Sequence, residues 1–192
     1  MCIRDRYNAV PFNQDLYLFS AQTQFVLRAE GVLSPKTAVI DQVTEFDADT
    51  WIKPIGVGRN LYFTAQKTDF TSVQEYFAVA DSTTQKNATD ITGHVPNFLK
   101  NKIYTLKACS NENILMLLSD NQRDTMYIYK FLFLNDTKAQ ASWSRWTFDG
   151  EIVGADFINS MMYLVINRGG NTFLEKMPIS YNTKDFVDEP YR

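Results

Sequence analysis

Short apolar runs alternate with polar turns along nearly the whole chain, and helical spacing of apolar positions is hard to find. Runs rich in Tyr, Phe, Ile, Leu and Val, bounded by Asn, Asp, Gly and Ser, predict β-strands. The pattern places strands at Asp15–Ser20, Thr23–Arg28, Thr37–Val43, Asn60–Ala65, Ser72–Val79, Lys102–Ala108 and Ile114–Ser119. It continues through Thr125–Leu134, Ser142–Phe148, Val153–Ile158, Met161–Asn167 and Asn171–Pro178. Asp120–Asp124 and Arg168–Gly170 carry hairpin turn chemistry. His94–Leu99 alone leaves room for a helical turn, which Pro96 keeps short.

A repeat runs through these strands. Leu16, Leu61, Ile114 and Met162 each sit in the opening strand of a hairpin, and they lie 45, 53 and 48 positions apart. The return strands contain Phe25-Val26, Tyr76-Phe77, Tyr127-Ile128 and Phe173-Leu174. Repeats of about 40–50 residues are the mark of propeller blades. A lone four-stranded blade cannot bury both faces, whereas stacked blades can. The expected fold is therefore all-β and β-propeller-like, an incomplete ring of about four blade-like units. A β-sandwich is the alternative. The polar stretch Asp81–Thr92 reads as a long connection between blades, and no linker divides the chain. Unclosed, such an arc would leave sheet edges and apolar faces bare, so the excerpt is expected to fold poorly and aggregate.

Composition supports a packed β protein: of 192 residues, 45% are hydrophobic and 14% aromatic. Charge narrows the partners. The net charge is −3, and the densest basic stretch, Lys100, Lys102 and Lys107, is diluted by apolar neighbours. Tight nucleic-acid binding through phosphates is disfavoured; a surface that nucleic acid slides past is compatible. No apolar run approaches the length of a membrane span. Cys2 and Cys109 give neither a disulfide framework nor a zinc spacing. Residues 1–6 look foreign to the rest of the chain and resemble a translated sequencing-adapter scar, so the native region is expected to be 7–192, cut from a longer protein.

Candidate chemistry is sparse. His94 is the sole histidine and suits a structural hydrogen bond better than catalysis. Gly56-Val57-Gly58 lacks the third glycine of a dinucleotide fingerprint and suits a tight turn before Asn60. Glu45, Asp47 and Asp49 would share one face if they lay on a strand, and paired carboxylates serve glycoside hydrolysis; a solvated loop is the favoured reading. Asp188 and Glu189 receive the same reading. Trp143 and Trp146 fall on opposite faces by strand alternation, so they form no flat stacking platform and suit packing between blades. No catalytic, cofactor-binding or metal-binding residue is assigned.

Several segments, in order, resemble the tail tubular protein B, or nozzle protein, family of T7-like short-tailed phages. They are Gly56–Ala65, Ala88–Phe98, Tyr127–Leu132, Ser142–Trp146, Asn171–Leu174 and Glu189–Arg192. The resemblance implies a virion structural subunit, assembled in the host cytoplasm, with a propeller-like β region. It further implies a six-fold homo-oligomeric ring below an adaptor ring of tail tubular protein A, contact with tail fibres, and a conduit for DNA ejection. It carries no catalytic residue onto this chain. The competing expectations are a glycan-degrading, tail-associated propeller hydrolase using Glu45, Asp47 or Asp49, and a generic protein-interaction propeller.

Overall fold

The computed structural model describes residues 5–12, 15–29, 31–77, 88–134 and 137–180. Among them there is no helix. Four antiparallel sheets follow one another along the chain, each formed by consecutive strands in sequence order. Blade 1 contains β1 (Asn8–Phe12), β2 (Asp15–Phe19), β3 (Gln24–Ala29) and β4 (Ala38–Thr44). Blade 2 contains β5 (Ile55–Val57), β6 (Asn60–Gln66), β7 (Thr71–Phe77) and β8 (Ala88–Asp90). Blade 3 contains β9 (Ile103–Cys109), β10 (Ile114–Ser119), β11 (Gln122–Leu134) and β12 (Thr137–Thr147). Blade 4 contains β13 (Glu151–Ile158), β14 (Met161–Arg168) and β15 (Asn171–Pro178).

The first strands of successive blades touch in turn, β1 with β5, β5 with β9 and β9 with β13. They therefore converge on a common axis, and the sheets stack face to face around it as propeller blades do. A sandwich would have one core between two sheets. Three separate cores are found instead, one per seam. Val10, Tyr17, Phe19 and Val26 of blade 1 meet Leu61, Phe63 and Tyr76 of blade 2. Val57, Tyr62 and Val73 of blade 2 meet Leu115, Leu117, Tyr127 and Tyr129 of blade 3. Ile114, Met116, Met126 and Ile128 of blade 3 meet Met162, Leu164 and Ile166 of blade 4.

Strand alternation explains this partition. Along β10, even-numbered residues face blade 4 and odd-numbered ones face blade 2, so every residue from Ile114 to Ser119 is buried. In β14 only Met162, Leu164 and Ile166 are buried, because their neighbours point away from blade 3. The four hairpins read from the sequence pair as expected, with Leu16 opposite Leu27, Leu61 opposite Tyr76, Ile114 opposite Lys130 and Met162 opposite Met177. Between β14 and β15, Gly169 and Gly170 take φ +57 and +86, which a two-residue hairpin loop of this hand demands.

Three expectations need correcting. Asp81–Thr92 does not join two blades: its described end holds β8, the fourth strand of blade 2, and residues 91–102 make the crossing to blade 3. Gly56 and Val57 belong to β5, and the turn is Gly58-Arg59, with Gly58 at φ +57. His94–Leu99 forms two successive turns, Val95 N–H to Thr92 O (2.8 Å) and Phe98 N–H to Val95 O (3.0 Å), without a helix. Val79, Cys2, Asp188, Glu189 and the final Pro190–Arg192 lie outside the described residues.

Candidate functional site at the blade seams

The carboxylates singled out in the sequence do not converge. β4 ends at Thr44, so residues 45–49 are not strand. Glu45 and Asp47 are exposed and Asp49 is buried. Glu45 accepts a hydrogen bond from Gln42 Nε2 at 2.6 Å. Asp49 ties the blade 1–2 connection to β6: its N–H donates to Thr64 O (2.9 Å) and its Oδ1 accepts from Gln66 N–H (3.2 Å). Burial pushes the Asp49 carboxyl above the ordinary value, against the opposing pull of the Thr64 hydroxyl, Gln66 N–H and Lys102. The cleft of about 510 Å³ beside Pro11 and Leu27 has Asp15 as the one carboxylate among its lining residues. Among the described residues, no three His, Cys, Asp or Glu side chains come together in a metal-holding group.

The other candidates are absorbed into packing. His94 is exposed on the 91–102 connection, and its ring has no hydrogen-bond partner among the described residues. Lys102 lies 3.9 Å from the centre of the Trp51 ring, and Lys107 pairs with Asp156 at 2.6 Å. The basic stretch is thus partly neutralised within the fold. Trp143 packs on Tyr129 in the seam between blades 2 and 3, with centroids 4.8 Å apart, and Trp146 packs into the seam between blades 3 and 4. The two rings therefore serve different seams, as alternation requires.

What the seams share is a set of polar clasps. Near the axis, a side chain of one element reaches a backbone carbonyl of the next. Asn8 Nδ2 donates to Ile52 O (3.3 Å), Trp51 Nε1 to Ile103 O (3.0 Å), and Tyr104 hydroxyl to Ile152 O (2.7 Å). Each gives a backbone carbonyl of a buried residue, Ile52, Ile103 or Ile152, a side-chain donor from the preceding blade or its connection, which ties neighbouring blades together. Farther out, Trp143 Nε1 donates to Ile91 O (3.1 Å).

The strongest clasp joins β7 to β12. Lys138 Nζ lies 2.6 and 2.5 Å from the two oxygens of Glu75 and 3.2 Å from Tyr129 hydroxyl. Glu75 Oε1 also accepts from Asn60 Nδ2 (2.5 Å) and Tyr62 hydroxyl (2.6 Å). The ammonium sits 5.5–5.8 Å from the ring centres of Tyr129, Phe131 and Phe133. Burial, then the Glu75 charge, pushes the Tyr62 hydroxyl far above its ordinary value, so it stays a donor. Lys138 comes from the part of the β11–β12 hairpin that overhangs blade 3, since β10 pairs with β11 only as far as Lys130. The overhang leans on blade 2, where Phe133 stacks on Phe77 with centroids 5.8 Å apart. Sequence reading missed this cluster. Thr71, Ser72 and Gln74 make the strand polar in sequence, so Glu75 does not stand out there, and its partner is 63 residues away.

Chemically, the assembly joins sheets; it holds no convergent acid, base and nucleophile among the described residues. The family model described as bacteriophage nozzle protein matches residues 5–192. Tail tubular protein gp12 of Escherichia phage T7 is 39% identical over 186 residues, covering 96% of this chain. This chain spans 23% of that relative's length. A solved structure of Kluyveromyces lactis Hsv2 superposes with a TM-score of 0.53 at 8% identity, over 93% of this chain and 50% of that one. A second, with complete loop 6CD, gives 0.53 at 7% identity, over 95% and 51%. These two likenesses concern the fold alone.

Proposed function

Because the chain belongs to the bacteriophage nozzle protein family, we propose that it is a structural piece of a phage tail tube, part of the conduit through which DNA is ejected, and that it makes and breaks no covalent bonds. Residues 7–192 form the β-propeller-like region of a longer tail protein. It works in the virion tail, after assembly in the host cytoplasm. Copies join in a six-fold ring that meets an adaptor ring of tail tubular protein A and the tail fibres.

The observation that carries this reading is the construction of the seams. Each has an apolar core and side-chain clasps, which resist sliding and hinge motion between blades. Such a wall holds a shape under load, whereas an active site needs a cleft with convergent ionisable groups. The slightly negative net charge, −3, fits passage of DNA without stalling, since phosphates are gripped through Lys and Arg and Lys107 and Lys138 are engaged in ion pairs. Electron microscopy of the full-length protein tests the proposal. Rings or tail-like particles are expected, and monomers alone under every assembly condition would overturn it. Portal, capsid and tail-fibre genes beside the coding sequence are expected as well.

A further inference from the structure

We propose that the outer edge of β12 accepts an extended polypeptide strand from another protein, adding a fifth strand to blade 3. This inference uses the geometry of blade 3 and does not rest on the tail reading.

β12 is eleven residues long and, among the described residues, pairs only with β11. Its opposite side is open: Ala139–Ser142, Ser144 and Arg145 are all exposed. An open strand edge is a template for pairing, and proteins usually guard it with brevity, charge or proline. The other outer strands are guarded in these ways. β8 has three residues, β4 carries Asp41, which pairs with Arg28 of β3, and β15 carries Glu175 and Lys176 and ends at Pro178. β12 carries Lys138 and Arg145 toward its ends, but over Ala139–Ser144 it has no charge and no proline, and its ladder with β11 is regular beyond the bulge at Leu132/Phe133.

The register says which groups face outward. Phe131 N–H donates to Asn113 O on the β10 side, so Lys130 turns its backbone groups toward its partner Ser142. Ala141, Trp143 and Arg145 therefore turn theirs away from β11, into solvent. Their side chains all lie on the face toward blade 2, opposite Phe131, Tyr129 and Tyr127. Charge then selects the occupant. Arg145 lies over the Phe98 ring, 5.4 Å from its centre, with no ion-pair partner among the described residues. A second copy's β12, paired about Ser142, would place Ala139 beside Arg145 and supply no carboxylate. An antiparallel strand with a carboxylate opposite Arg145, and apolar residues opposite Trp143 and Ala141, satisfies both ladder and charge.

The probe is the blocked hexapeptide Glu-Thr-Val-Thr-Phe-Thr, which in antiparallel register sets Glu opposite Arg145 and Phe opposite Ala141. The expected result is saturable binding, with amide exchange slowed at Ala141, Trp143 and Arg145. Ala141→Pro removes an outward N–H while sparing the β11 ladder, and is expected to abolish binding with an unchanged circular dichroism spectrum. Arg145→Glu should weaken binding roughly tenfold, and a peptide beginning with Lys should recover it. This charge exchange keeps the test decisive should Ala141→Pro disturb folding. No saturation at millimolar peptide, or protected amides elsewhere, would overturn the proposal. So would protection that grows with protein concentration alone, which would give the edge to a second copy.

Discussion

Replacing Lys138 by Met removes the ammonium of the β7–β12 clasp while keeping most of its aliphatic packing. Glu75 is then left with two donors, Asn60 Nδ2 and Tyr62 hydroxyl, and no counter-charge. Its side chain is 9% exposed, and that of Lys138 is 23% exposed. Breaking a buried ion pair costs about 3–5 kcal/mol. The partial exposure of Lys138 and the two surviving hydrogen bonds bring the expected loss to about 2–3 kcal/mol. Glu75→Gln with Lys138→Met removes both charges, and the Gln carbonyl can accept the same two donors. That pair of changes should cost only about 1 kcal/mol, about 1–2 kcal/mol less than Lys138→Met alone. Urea unfolding followed by tryptophan fluorescence, at concentrations where sedimentation shows monomer, reads both values; Trp143 lies in the same seam. The gap between single and double variant should persist at about 0.5 M salt, where exposed pairs are screened. A Lys138→Met loss under about 0.5 kcal/mol, the range of ordinary surface substitutions, or a double variant less stable than the single one, would refute the reasoning.

Asp49 has its pKa raised in the folded state, chiefly by burial. Its contribution favours folding below the ordinary carboxylate value and is lost as pH rises through the raised one. Asp49→Asn should therefore stabilise the chain at neutral pH and flatten urea midpoints measured upward from about pH 4; an unchanged pH profile would contradict this. Gly150 takes φ +138, and a Cβ there would lie 2.7 Å from Asn167 O, Arg168 Cγ and Ile166 Cγ2. Gly150→Ala should cost about 2–4 kcal/mol in urea unfolding, and a change within error would show that the turn into β13 relaxes freely. Finally, blades 1 and 4 keep apolar outer faces, with Ile40 at one end and Val153, Ile158 and Leu174 at the other all exposed. The chain should self-associate as its concentration rises in sedimentation; a monomer at all concentrations would count against it.

The hairpins were legible because the middle strands of each blade carry the apolar load. Leu61-Tyr62-Phe63 and Leu115-Met116-Leu117 are unbroken apolar runs, since each sits between two other blades. The strands missed were edges. β1 contains Pro11, tolerable on an inner edge that needs no second ladder; β5 is three residues with Gly56 at its centre; β8 is Ala-Thr-Asp. Period-two patterning is weakest where a strand has little to bury. The opposed directions of Trp143 and Trp146 followed from alternation alone. The clasps were not legible, because Trp51 reaching Ile103 and Lys138 reaching Glu75 are fixed by how sheets stack, and adjacent residues do not record that.

Each seam has its own core, so force applied along the polypeptide has no single breaking point. Tearing one sheet loose sacrifices the cores it shares and leaves distant ones sealed. The chain would then lengthen in discrete jumps, one released sheet at a time, each freeing on the order of 150 Å of extended backbone. A wall built this way yields in instalments, and damage stops at the next intact boundary.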